Sequence, residues 1–104
     1  MKPQKKQRPR LLRVTRSTRA AKKYRAVFDD GTITHFGGKG CGDFIIYSRK
    51  SYTLANAKRK AYLARHGATE RWTDSTTAAS LSRFILWEER TLADAIKRYN
   101  NRFR

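Results

Sequence analysis

The chain has 104 residues, 25 of them Lys or Arg against 8 Asp or Glu, for a formal net charge of +17. That is one domain's length, and its surplus of positive charge selects for polyanionic or acidic partners. No stretch is apolar enough to span a membrane, and the N-terminus lacks the apolar run of a secretory signal. The single cysteine, Cys41, excludes an intrachain disulfide and fits a reducing compartment, and only His35 and His66 could join it as zinc ligands, which removes zinc-finger readings.

The charge is unevenly placed. Residues 1–25 hold eleven Lys or Arg and no acid. Residues 1–23 therefore read as a basic, extended N-terminal arm, self-repelling when free and ordered by a partner. Pro3 and Pro9 discourage early helix. Arg10, Arg13, Arg16 and Arg19 recur every third residue. This gives a drifting basic face on a helix, or a series of phosphate-reaching groups on an extended chain. The arm's Arg-rich, acid-free character also leaves mitochondrial import open, although serines are few.

Residues 24–104 read as a small α+β domain. Tyr24–Phe36 is expected to be a β-hairpin, because Asp30-Gly31 sits between two β-rich runs. Gly37–Gly42 is a flexible loop, and Phe44–Tyr47 fits either a third strand or a buried helical turn. Ser51–His66 reads as a helix with Ser51 as N-cap and Gly67 as its C′ residue. A second helix, central to the core, is expected from Thr76 or Thr77 through Trp87, with Leu81, Phe84 and Ile85 on one face. The clearest helix is Thr91–Phe103. It opens on a box-like Thr91-x-x-Asp94, and Leu92, Ala95, Ile96, Tyr99 and Phe103 form its apolar stripe. The expected fold is thus a hairpin packed on about three α-helices, preceded by the basic arm.

From Lys23 onward, one series of segments stands out by its order. It runs Tyr24–Phe28, Asp30-Gly31, His35-Phe36-Gly37, Lys39-Gly40, Asp43, Tyr62, Arg65-His66, Glu70 and Trp72. It continues with Thr77-Ala78, Leu81-Ser82-Arg83, Ile85-Leu86-Trp87, Thr91-Leu92, Ile96 and Arg102-Phe103. In this order the chain resembles a family of small basic proteins of nucleocytoplasmic large DNA viruses, of the algal-virus and giant-virus kind. It departs from them between Asp43 and Tyr62, which is longer here, at Phe84, and at Glu88-Glu89-Arg90. The resemblance implies a virion or infected-cell protein and supplies no catalytic residues.

The candidate chemistry is sparse. Asp29-Asp30 and Glu88-Glu89 read as a solvated turn and a helix end rather than metal sites. Cys41 lacks a nucleophile signature, so a Cys–His enzyme is not expected, nor is any cofactor, metal or small-molecule substrate. Gly37–Gly42 fails both the dinucleotide and the Walker patterns, although its backbone N–H groups beside Lys39 could cradle one phosphate. Trp87 is expected in the core, whereas Trp72 could cover a core edge or meet a partner. Partner-binding groups are expected at Lys5, Lys6, Arg8, Arg10, Arg13, Arg16, Arg19, Lys22 and Lys23 of the arm. Lys39, Trp72 and the helical patch of Lys58, Arg59 and Lys60 complete the set.

Two functions compete, and both are non-catalytic. One is a minor capsid, or cement, component whose arm runs along shell proteins. The other is a sequence-nonspecific binder of DNA or RNA phosphate that condenses the viral genome. The virion is the expected location in either case. Synthesis is expected in the host cytoplasm, and Lys2–Arg10 could act as a nuclear address. A ribosomal or RNA-assembly role fits the size and charge but not the resemblance.

Overall fold

The computed structural model describes residues 8–104. Lys5 and Lys6 lie outside the described residues. A three-stranded antiparallel sheet, β1 (Leu11–Arg16), β2 (Lys22–Phe28) and β3 (Ile33–Gly38), is ordered β1-β2-β3. Four helices follow: α1 (Phe44–Ser48), α2 (Tyr52–Gly67), α3 (Ala78–Leu81) and α4 (Leu92–Arg102). A π-helical turn, Ser82–Leu86, prolongs α3. The α+β class read from the sequence is the class observed.

The hairpin forms where the Asp-Gly pair asked for it. Gly31 takes φ +89°, Phe28 N–H donates to the Thr32 carbonyl at 2.9 Å, and Asp30 Oδ1 accepts from Thr32 N–H at 2.9 Å. Only glycine adopts that φ without strain.

The sheet has one strand more than a hairpin. Leu11–Arg16 falls within the stretch assigned to the arm, yet it is an edge strand of the domain. The physical reason is a long-range contact. Leu11 buries its side chain in the core, and the Asn100 side chain of α4 grips both backbone groups of Leu11, accepting from its N–H and donating to its carbonyl, each at 2.9 Å. With Leu11 held by α4, the register slips between Leu11 and Arg13, and Leu12 is left half exposed. This is a β-bulge, the usual way a strand absorbs one extra residue. Strand alternation then separates the arginines spaced by three. Arg13 pairs with Val27 on one face, and Arg16 pairs with Tyr24 on the other.

The helices begin on the side chains read as caps. Ser51 Oγ accepts from Leu54 N–H, Thr77 Oγ1 from Ser80 N–H, and Thr91 Oγ1 from Asp94 N–H, each at 3.2 Å. Asp43 caps α1, so the ambiguous Phe44–Tyr47 run is helical. Gly67 lies inside α2 with Ala68 following in right-handed geometry, so no glycine C′ cap forms. The π-helical turn brings Phe84, Ile85 and Leu86 into the core in succession, with Trp87 after them. A regular α-helix would turn one of these outward, and the wider turn is the kind of irregularity that re-aims side chains.

The core lies between the inner sheet face (Leu11, Ala26, Phe28, Phe36) and Leu81, Ile85, Ala95, Tyr99 and Phe103. Tyr99 donates to the Ser75 carbonyl at 2.5 Å, and burial raises its pKa. Among the described residues, no helix packs against the centre of the other sheet face.

Candidate functional site

Two surfaces collect the basic residues that the fold leaves free. The first is the outer face of the sheet. Directly paired residues share a face. The register therefore sets Thr15, Arg25 and His35 in one row, and Arg13, Val27 and Ile33 in the next. Arg13 and Thr15 are exposed, and Ile33 is 50% exposed. Arg25 Nε donates to Thr15 Oγ1 at 3.2 Å, which ties its guanidinium to β1.

His35 reports the field over this face. Its Nδ1 lies 2.7 Å from Ser17 Oγ. Its pKa is held below the usual 6.5 by desolvation first, then by the positive charges of Arg19, Arg25 and Lys22. Arg13 and Arg25 thus share one exposed face, and Arg19 and Lys22 border it closely enough to act on His35.

The second surface is a cleft of about 380 Å³ at the sheet's corner, reached two residues past Arg25 and His35 along their strands, at Lys23 and Gly37. Its polar lining includes Lys22, Lys23, Arg65 and His66, and its apolar lining includes Ala79 and Leu86. Lys23 Nζ donates to buried Asp43 at 2.7 Å and to the Cys41 carbonyl at 2.6 Å. His66 stacks on Tyr62 at 4.2 Å between centroids, and Tyr62 on Trp87 at 4.8 Å. His66 Nδ1 meets Glu70 Oε2 at 2.5 Å, and the other Glu70 oxygen accepts from Trp72 Nε1 at 3.0 Å. Burial first, and then the Glu70 charge, push the Tyr62 phenol up to about 12, so it stays a neutral flat ring at physiological pH. Gly37 closes tightly here. Its φ is +77°, and a Cβ would stand 3.0 Å from Leu86 Cδ1.

The expected partner-binding residues divide. Arg13 lies on the outer face, Arg19 and Lys22 border it, and Arg10 and Arg16 are exposed on β1 or beside it. Arg8 instead lies 5.6 Å from the Phe103 ring centroid, over the core's end. Lys23 is engaged by Asp43. Arg59 is engaged by Asn56 Oδ1 at 2.7 Å and the Glu88 carbonyl at 3.1 Å, and its guanidinium covers Phe44. Lys58 and Lys60 are exposed, with Lys58 Nζ 5.4 Å from the Tyr47 ring centroid. Trp72 is edge-on to Phe84 beneath Arg83, so it covers the core's edge, one of its two expected roles.

Lys39 is exposed, and the loop beside it, which could have cradled a phosphate, forms a tight turn. Lys39 N–H donates to the Ala21 carbonyl and Cys41 N–H to the Gly38 carbonyl, both at 3.1 Å, so two of the loop's donors are already taken. Cys41 and His66 line one cleft while His35 lies on the outer sheet face, so the three do not assemble. Among the described residues, no group of three or more His, Cys, Asp or Glu could hold a metal ion, and no helix is long and apolar enough to cross a membrane.

Sequence reasoning passed over Arg25, Thr15 and His35 as binding groups. Their signal was the alternation of β2 itself: Tyr24, Ala26 and Phe28 face inward, so Arg25 must face outward. It also passed over the His66–Glu70 pair, which becomes a neighbour of the sheet only through tertiary packing.

Residues 12–66, just over half of the chain, match the model of a protein family described as a family of unknown function (DUF5754). The match runs from β1 to the last turn of α2 and so includes the whole outer sheet face. No curated protein and no solved structure matches the chain.

Proposed function

We propose a role for this chain, which belongs to the family of unknown function DUF5754: it is a non-catalytic protein that lays the outer face of its sheet along a nucleic-acid phosphate backbone. The observation that carries the reading is the placing of Arg13 and Arg25 on one exposed sheet face, bordered by Arg19 and Lys22, beside a histidine, His35, held down by desolvation first and then by Arg19, Arg25 and Lys22. A three-stranded sheet is narrow enough to follow a duplex groove or lie across a strand, and its arginines can each pair with a phosphate. Among the described residues that face carries no Asn or Gln for an adenine edge, and its arginines are assigned to phosphates, so the binding is to backbone and is independent of sequence. The resemblance to proteins of large DNA viruses supplies the setting: the polyanion is the viral genome and the location is the virion.

A second reading has its own support. Ile46, Tyr52 and Leu54, on α1 and the first turn of α2, are exposed large apolar groups away from the sheet's cations. They favour a protein neighbour, as a minor capsid component would have.

Gel-shift titration of the full chain on a duplex, over a salt series, separates the two. The backbone reading expects tight binding at low salt and a steep loss as salt rises. Only weak binding at physiological salt defeats it. The capsid reading fails if purified particles lack the protein, or if it leaves with the nucleic acid rather than the shell.

A further inference from the structure

We infer that the corner cleft is a nucleotide pocket, which takes one base-plus-phosphate unit. The chemistry comes from the cleft's own residues, and the expectation that a bound strand can supply the unit rests on the backbone reading above. The cavity, about 380 Å³, lies in the range of small-ligand pockets. One side of it is apolar and flat: Ala78, Ala79 and Leu86, with glycines opposite that leave the backbone bare. The other side carries Lys22, Lys23, Arg65 and His66, with one carboxylate, Glu70, whose two oxygens are taken by His66 and Trp72.

Three groups there are already oriented. Lys23 has two ammonium protons fixed on Asp43 and the Cys41 carbonyl, which leaves its third to a ligand. The His66 ring is clamped between its stack on Tyr62 and its bond to Glu70, so Nε2 is the nitrogen left for a ligand. The Ser82 hydroxyl lines the same space. Arg65, exposed at the end of α2, adds a mobile charge at the mouth.

This combination selects the ligand. A bare phosphate would leave the apolar wall in water, and a nucleoside would leave the cations unmatched. A nucleoside monophosphate satisfies both, with its base against Ala79 and Leu86 and its phosphate toward Lys23, Arg65 and Lys22. Lys22 connects the two surfaces, since it lines the cleft and also acts on His35. A strand lying on the sheet can therefore deliver an unpaired nucleotide into the cleft.

Calorimetric titration of the full chain with adenosine 5′-monophosphate, inorganic phosphate and adenosine tests this. The monophosphate should bind saturably and about tenfold or more tighter than either fragment, since both walls contribute. Ala79→Phe should fill the cleft and abolish that binding while duplex affinity stays within about twofold. If Ala79→Phe fails to fold, Arg65→Glu on the exposed helix end gives the same comparison, with monophosphate affinity falling several-fold. Monophosphate binding no tighter than phosphate, or binding that survives both substitutions, overturns the proposal. Loss of duplex binding with the monophosphate site intact would instead defeat the backbone reading alone. Displacement of the monophosphate by a single-stranded oligonucleotide, but not by a blunt duplex, identifies a strand as the source. Without displacement the pocket serves free nucleotide.

Discussion

Replacing Arg13 and Arg25 together by glutamine removes two of the four cations on or bordering the outer sheet face and touches little else. Arg13 is exposed, and Arg25 gives up one bond to the exposed Thr15 hydroxyl. Stability should change by less than about 0.5 kcal/mol per site, as for surface positions generally. The effect on binding is larger and has a definite form. Each neutralised phosphate contributes about −0.9 to the slope of log affinity against log salt, so four cations give roughly −3.6 and the double variant roughly −1.8. Over a fourfold rise in salt, that is a loss of about 150-fold for the parent chain and about 12-fold for the variant. Fluorescence anisotropy with a labelled duplex reads both slopes directly. An unchanged slope in the variant would refute the assignment of these arginines to phosphates, whatever happened to affinity at a single salt concentration.

Three further outcomes follow from the same geometry. Asn100→Ala leaves the Leu11 N–H and carbonyl without their partner from α4, which should cost about 2 kcal/mol and lower the melting temperature by roughly 10 °C; a shift of only a degree or two would mean that β1 is held by its ladder alone. A truncation starting at Tyr24 removes β1 and the buried Leu11, so it should show no cooperative melting, and a sharp two-state transition would contradict the placement of β1 in the domain. His35 has a folded-state pKa below its unfolded value of 6.5, so its share of stability is present at higher pH and is lost as pH falls through 6.5 toward the folded value. A bound polyanion acts in the opposite sense, favouring the imidazolium. Duplex affinity should therefore tighten with acidification in that window, and His35→Gln should flatten the profile.

The elements legible in the sequence were those whose signals are local. Asp30-Gly31 fixed a turn, Ser51, Thr77 and Thr91 fixed three helix starts, and the stripe from Leu92 to Phe103 fixed the buried face of α4. β1 was harder to read because its register depends on a contact 89 residues away, between Leu11 and Asn100. Without that anchor, the leucines and arginines of residues 10–19 look like a charged tether. The binding face was half legible for the same reason. Charge counts located the cations in the first quarter of the chain, but only strand pairing shows that Arg13 and Arg25 share a surface while Arg16 does not. Lys23 and Arg59 looked like free cations, yet they are bound by Asp43, by Asn56 and by the Glu88 carbonyl. Sequence spacing carries no trace of those bonds. The cleft was invisible because its walls come from β2, β3, α2 and α3 at once.

The central claim is that the outer sheet face is where this protein meets a phosphate backbone. Amide chemical-shift mapping of the full chain, titrated with a short duplex at physiological salt, tests it most directly. The account predicts that the shifts concentrate at Arg13, Thr15, Arg19, Arg25, Val27, Ile33 and His35, and that Ile46, Tyr52 and Leu54 stay still. Shifts confined to α1 and the start of α2, or none at saturating duplex, would contradict it.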